Sequence, residues 1–75
     1  MVREQVTDIV AEMVANVMSI DVAVGDKVEA GTQVVLLESM KMEIPVLVEV
    51  AGTVKQVRIA VGDVVQEGDV MVTIS

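Results

Sequence analysis

The 75-residue chain contains no cysteine, no histidine and no aromatic residue. Without cysteine, neither a disulfide nor a thiolate metal site can brace a domain whose core must be small. Without histidine, the chain lacks the commonest general acid or base and the commonest metal ligand. Without Trp, Tyr or Phe, it offers no ring on which a base or a sugar could stack. The composition therefore argues against an autonomous enzyme, and it predicts no metal site.

Charge and the length of the apolar runs narrow the candidate partners. Twelve acidic residues against five basic ones give a formal net charge of −7, and such a surface repels phosphate backbones and anionic lipid. The longest uncharged runs, residues 13–20 and 30–37, fall well short of the roughly 20 apolar residues that span a bilayer. The start of the chain has an acidic residue at Glu4 and no apolar segment after it, so no signal peptide is predicted. We expect a cytoplasmic protein that binds neither nucleic acid nor membrane.

The chain is rich in β-branched residues and repeats itself. Twenty residues are valine and five are isoleucine, side chains that suit half-buried strands better than helices. Shifted by 37 positions, residues 22–28 fall on residues 59–65 with the same Gly-Asp pair in each copy. We predict one domain over residues 1–75, made of two related halves at about 9–38 and 46–75.

Each half contains a Gly-Asp pair that predicts a turn. Gly25 and Gly62 can take φ values closed to other residues, and Asp26 and Asp63 can accept hydrogen bonds from nearby backbone N–H groups. Since the gaps between strands are too short for crossover helices, antiparallel pairing is favoured. The sequence therefore predicts an all-β fold of two antiparallel sheets packed face to face, with valines inward.

One segment supports two interpretations. Residues 2–17 have apolar positions at helical spacing, which is typical of an amphipathic helix. Residues 9–17, however, overlay the valine-rich residues 46–54 that follow Pro45. We predict a strand from about residue 9 and leave residues 1–8 open.

The turn between the halves breaks the usual rule for hairpins. Strand-like runs, residues 34–37 and 44–48, flank residues 38–43, where the chain must reverse. Tight hairpins favour Gly, Asn or Asp because their turns need positive φ, yet no glycine occurs between Gly31 and Gly52. The turn instead contains Met40, Lys41 and Met42. A broken local rule without a structural gain indicates a functional or strained site.

Lys41 is a candidate for covalent attachment. An exposed lysine is almost wholly protonated at neutral pH, so it is a poor catalyst unaided, but it accepts an activated acyl group once a separate enzyme removes the proton. Met40 and Met42 would flank it with flexible apolar surface. The alternative is an ordinary solvated turn, with both methionines turned inward and Lys41 without a role.

The segment Glu38–Val46, which reads Glu-Ser-Met-Lys-Met-Glu-Ile-Pro-Val, closely resembles the biotinylation motif of biotinyl domains, the biotin carboxyl carrier proteins. The resemblance runs from about residue 9 to Ser75 and includes both Gly-Asp turns. It departs at Ser39, where many members have alanine, and the chain has no room for the thumb-like insertion of some carriers. It implies a flattened barrel of eight antiparallel strands with quasi-twofold symmetry, the hammerhead fold shared by biotinyl and lipoyl domains.

The resemblance also implies a function. Lys41 would carry covalent biotin between Met40 and Met42, and Glu38 and Glu43 would help the biotin protein ligase recognise the turn. The chain would be a non-catalytic, monomeric carrier that shuttles CO2 from a biotin carboxylase to a carboxyltransferase. We expect these to be parts of an acyl-CoA carboxylase in fatty acid biosynthesis. The alternative is a lipoyl-type acyl carrier of a 2-oxoacid dehydrogenase complex. Lipoyl domains usually have Asp before and Ala after the lysine, so the two methionines favour biotin.

Overall fold

In a computed structural model, residues 6–75 form eight β-strands and no helix, and residues 1–5 lie outside the part described. None of the elements in residues 6–75 is a helix that could span a membrane. The strands are β1 (Thr7–Val10), β2 (Ala15–Ile20), β3 (Lys27–Val28), β4 (Gln33–Ser39), β5 (Met42–Leu47), β6 (Gly52–Val57), β7 (Val64–Val65) and β8 (Val70–Ile74). The predicted all-β fold is confirmed.

The strands form two four-stranded antiparallel sheets. One sheet has the order β1-β8-β6-β3 and the other the order β5-β4-β2-β7. Each sheet therefore takes two strands from each half of the chain, so neither half forms a sheet alone. The sheets pack through a core made mainly of valine, including Val17, Val34, Val54 and Val72, each at most 2% exposed. At about 1.5 kcal/mol or more for each fully buried valine, these side chains supply the stabilisation that aromatic residues give other small domains.

The sequence repeat corresponds to a structural one. The shift of 37 residues carries β2 onto β6 and β3 onto β7, and it converts the strand order of one sheet into that of the other. Hydrogen bonds between the halves repeat as well. The Val54 N–H donates to the Asp26 carbonyl at 2.8 Å, and the Val17 N–H donates to the Asp63 carbonyl at 2.8 Å. Each half thus satisfies backbone groups of the other.

The two Gly-Asp turns have the predicted geometry. The Asp26 carboxylate accepts a hydrogen bond from the Ala23 N–H at 2.9 Å, and Asp63 accepts one from the Ala60 N–H at 2.9 Å. The glycines before these aspartates have φ of 96° and 95°, in the left-handed region that other residues rarely adopt. Both predicted turns are therefore confirmed.

The start of the chain differs from the prediction. Strand structure begins at Thr7 and does not continue to Val17, because β1 belongs to one sheet and β2 to the other. Residues 11–14 carry the chain between the sheets, and the Ala11 N–H donates to the Asp69 carbonyl at 2.9 Å. The helical interpretation of residues 2–17 is wrong over residues 6–17, and its first four positions lie outside the described residues.

Gly52 packs more tightly than the other glycines. A Cβ there would lie 2.6 Å from Ile74 Cγ2 and 2.9 Å from the Ser75 carbonyl oxygen, while φ at Gly52 is outside the left-handed region. Without the clash, Gly52→Ala would stabilise the fold by about 0.4–1 kcal/mol through the unfolded chain. We expect it instead to lower the free energy of unfolding by about 1–3 kcal/mol, measured by urea titration. A gain in stability would contradict this close contact.

Candidate functional site at the hairpin between β4 and β5

The hairpin has a two-residue loop. β4 ends at Ser39 and β5 begins at Met42, and these two residues pair with each other across the hairpin. The turn predicted over residues 38–43 is therefore narrower, with only Met40 and Lys41 outside the strands. The chain reverses in the smallest loop that is common in hairpins.

Both loop residues have positive φ, 53° for Met40 and 64° for Lys41. These values are those of a type I′ turn, whose twist matches the flanking strands and which usually consists of Asn-Gly or Gly-Gly. Among residues 6–75, every other positive φ belongs to a glycine. A left-handed conformation costs a non-glycine residue about 1–2 kcal/mol, so the loop is strained.

The loop side chains are open to solvent. Met40 is 91% exposed, Met42 is 65% exposed, and Lys41 is exposed between them. The alternative in which both methionines turn inward is therefore wrong. The two methionine side chains are not buried here. They therefore form an apolar surface on either side of the Lys41 amine.

The two glutamates of the motif lie opposite each other in the stem of the hairpin. Glu38 on β4 and Glu43 on β5 are register partners, with Glu43 exposed and Glu38 half-buried. Like charges directly across an antiparallel pair destabilise it. Both residues were predicted to belong to the site, but their opposition was not, because it follows only from counting outward from a two-residue loop.

Pro45 lies inside β5. Its register partner is Leu36 on β4, and β5 is the edge strand of its sheet. A proline is tolerated within a sheet on an edge strand, with its nitrogen turned away from the neighbouring strand. Pro45 therefore shapes the free edge of β5, besides fixing φ a few residues beyond the tip.

The site can accept a covalent group but contains little else that is reactive. Residues 6–75 contain no group of His, Cys, Asp or Glu side chains that could hold a metal ion. The remaining chemistry is that of the Lys41 amine, exposed at the tip of a short paired hairpin. Such an amine fits a group attached through an amide bond, because neither the fold nor the core would have to change.

Most of the chain matches a known protein family, and about half of it matches curated relatives. The model of a biotin/lipoyl family described as "Biotin-requiring enzyme" matches residues 5–74. The biotinylated protein TB7.3 of Mycobacterium tuberculosis is 60% identical over 40 residues, which cover 53% of this chain and 56% of that protein. The biotin/lipoyl attachment protein of Bacillus subtilis is 45% identical over 38 residues, covering 51% of this chain and 52% of that protein. The matches thus span about half the length of these relatives.

Two solved structures share the fold. The urea carboxylase of Kluyveromyces lactis matches 100% of this chain with a TM-score of 0.89 and 31% identity. A single-chain, multi-domain long-chain acyl-CoA carboxylase matches 97% of it with a TM-score of 0.87 and 26% identity. The match covers 7% of each of those much longer chains. On the family match and these structures, the resemblance to biotinyl domains is confirmed, and the chain belongs to the family of biotin-requiring enzymes.

Proposed function

We propose that the chain is a biotin carboxyl carrier in which Lys41 bears the biotin. The observation that carries this proposal is the exposed amine at the tip of a strained two-residue loop, between two exposed methionines, in a chain of the biotin-requiring family. A hairpin kept for structure alone would have glycine or asparagine at these φ values. The loop instead accepts strain and exposes apolar surface, and both serve recognition by a modifying enzyme.

The attachment chemistry needs only the Lys41 amine from this chain. A biotin protein ligase would present biotin as biotinyl-adenylate and remove a proton from the ammonium group. The neutral Nζ then attacks the acyl carbon, an amide bond forms and AMP leaves. Because the amide is uncharged, the formal net charge of the chain changes from −7 to −8 (−7 − 1).

The chain's own contribution to carboxylation is tethering. Bound biotin would supply a ureido nitrogen that carries CO2, loaded by a biotin carboxylase from bicarbonate and ATP and delivered by a carboxyltransferase to an acceptor. Lys41 would hold that group beyond the body of the domain, so that it meets each active site at a high effective concentration without leaving the complex. The chain is a carrier and not a catalyst in this proposal.

An acyl-CoA is the acceptor we propose, as in fatty acid biosynthesis. The similarity to a long-chain acyl-CoA carboxylase supports this acceptor. The similarity to a urea carboxylase makes urea the alternative acceptor. A lipoyl-type acyl carrier is the alternative function, since the family includes both kinds of attachment. The exposed methionines on both sides of Lys41 favour biotin.

Replacing the attachment lysine tests the proposal directly. In Lys41→Arg, the charge and the positive φ remain but the amine is lost, so we expect no capture by avidin and no added biotin mass in protein from a host that contains biotin ligase. Lys27→Arg, at an exposed position on β3, is the matched control and should be captured like the wild type. Capture of Lys41→Arg, or none of the wild type, would contradict the proposal.

Variants of the two methionines distinguish recognition by the ligase from transfer of CO2. Met42→Leu keeps the volume and the apolar character of the side chain, so we expect ligation at a rate close to that of the wild type. We expect transfer of CO2 to the acceptor to slow severalfold, because the flexible thioether is lost at the tip. The two rates are measured by biotin incorporation and by carboxylation with the cognate subunits. Equal transfer rates in Met40 and Met42 variants would show that the thioethers are not needed.

We expect the paired glutamates Glu38 and Glu43 to destabilise the fold and to aid ligation. We expect Glu43→Gln to raise the free energy of unfolding by about 0.2–1 kcal/mol, since it removes the repulsion from Glu38. If the pair contacts the ligase, the same substitution should raise the KM of ligation severalfold. Glu67→Gln, which removes one exposed charge from the turn before β8, is the control for net charge and should change neither quantity. A KM equal to that of the wild type would leave the glutamates without the proposed role.

A further inference from the structure

An apolar groove separates the free edges of the two sheets. It has a volume of about 360 Å³ and lies between β1 and β5, one edge strand from each sheet. Its walls are residues 7–13 and residues 44–47, 49 and 50, with Leu37 and Met71 at its base. The two walls are the same segment of the repeat, 37 residues apart. We call it the edge groove.

The rim of the edge groove exposes apolar side chains that the fold does not bury. Val10 and Leu47 are repeat equivalents, 42% and 51% exposed, and Met13 and Val50 are a second such pair, 41% and 43% exposed. Four exposed apolar side chains therefore line one concave surface, and exposed apolar surface of this kind is typical of an interaction site.

Two carboxylates in the edge groove favour a positively charged ligand. Glu12 and Glu49, also repeat equivalents, line the groove, and the chain as a whole has a formal charge of −7. A second copy of this chain would bring the same carboxylates against them, which disfavours self-association. A segment with lysine or arginine beside apolar residues would complement both the rim and its charges.

The two edges differ in their ability to pair with a new strand. Pro45 removes the outward N–H from β5, a common protection of sheet edges. Its repeat equivalent on β1 is Asp8, which pairs with Thr73 as Pro45 pairs with Leu36. The register therefore turns the Asp8 N–H toward the free edge. The Asp8 carboxylate contacts the neighbouring strand β8, where it accepts a hydrogen bond from Thr73 Oγ1 at 3.1 Å. Only β1 offers an unprotected edge at this position.

We propose that the edge groove binds an extended segment of another polypeptide as an added strand on β1. The main chain of that segment pairs with the free edge of β1 at Asp8, its alternate apolar side chains enter the groove, and its basic side chains meet Glu12 and Glu49. Strand addition of this kind derives affinity from main-chain hydrogen bonds and specificity from alternate side chains. Biotin on Lys41 is not required, so the proposal stands apart from the carrier function.

A fluorescein-labelled eight-residue peptide of alternating valine and lysine is the probe, and fluorescence anisotropy measures its binding. Two control peptides accompany it: alternating valine and glutamate, and a block of four valines followed by four lysines. We expect the first peptide to bind at least tenfold more tightly than either control, with the same Kd for biotinylated wild type and for Lys41→Arg. Equal binding of the block peptide would overturn the proposal, because it would show unspecific charge attraction.

The variants locate the peptide on β1. Asp8→Pro copies the protection that β5 has at Pro45, and Asp8→Ala removes the contact with Thr73 while keeping the N–H. We expect Asp8→Pro to weaken peptide binding at least tenfold and Asp8→Ala to change it less than threefold, with circular dichroism confirming that both fold. If Asp8→Pro is unfolded, Leu47→Gln at the rim replaces it, with Val24→Gln, an exposed valine outside the groove, as its control.

Two outcomes would reject the proposal. One is unaltered binding in Asp8→Pro or, in its place, equal binding by the Leu47 and Val24 variants. The other is a concentration-dependent dimer in sedimentation that Leu47→Gln dissolves, since the groove would then be covered by a second copy of the chain.

Discussion

The pairing of β4 with β5 holds two non-glycine residues in the left-handed region, and the proposed attachment site depends on it. At about 1–2 kcal/mol for each residue, Met40 and Lys41 together cost roughly 2–4 kcal/mol. β4 contributes three fully buried side chains, Val34, Val35 and Leu37, and burying each contributes about 1.5–3 kcal/mol. The burial of one strand thus exceeds the strain of the loop, so the hairpin closes in two residues and presents Lys41 in one backbone conformation.

The repeat explains why residues 6–75 present one such tip. In the other sheet, β8 and β1 pair as β4 and β5 do, and Thr7 lies opposite Ile74 as Ile44 lies opposite Leu37. Within residues 6–75, β8 is the last strand and β1 the first, so no hairpin turn joins these two strands. The shared parts of the two halves, such as the Gly-Asp turns, build the scaffold. The functions proposed above lie where the halves differ: at the connecting hairpin and at the edge where one half has Pro45 and the other Asp8.

The parts of the structure that depend on local sequence were predictable, and those that depend on distant partners were not. Valine content, the 37-residue repeat and the Gly-Asp turns predicted the all-β fold, and the unusual loop composition pointed to Lys41. The break after Val10 was missed because a hydrogen bond between Ala11 and the distant Asp69 directs the chain there. The narrow loop was missed because the sequence has no residue that favours positive φ at Met40, and the ladder of β4 and β5 imposes it.

β5 connects the two surfaces. Met42 at its start flanks Lys41, the proposed attachment residue, and Ile44 to Leu47 line the edge groove. Leu47 lies six positions after Lys41, which at about 3.3 Å for each residue of a strand is roughly 20 Å. β5 pairs with β4 along its length, so the tip keeps its position relative to the groove. A partner strand paired with β1 would therefore lie at a fixed distance from the tip. An enzyme that holds the groove would limit the volume searched by the group on Lys41, which raises its effective concentration at the active site without any new contact at the tip.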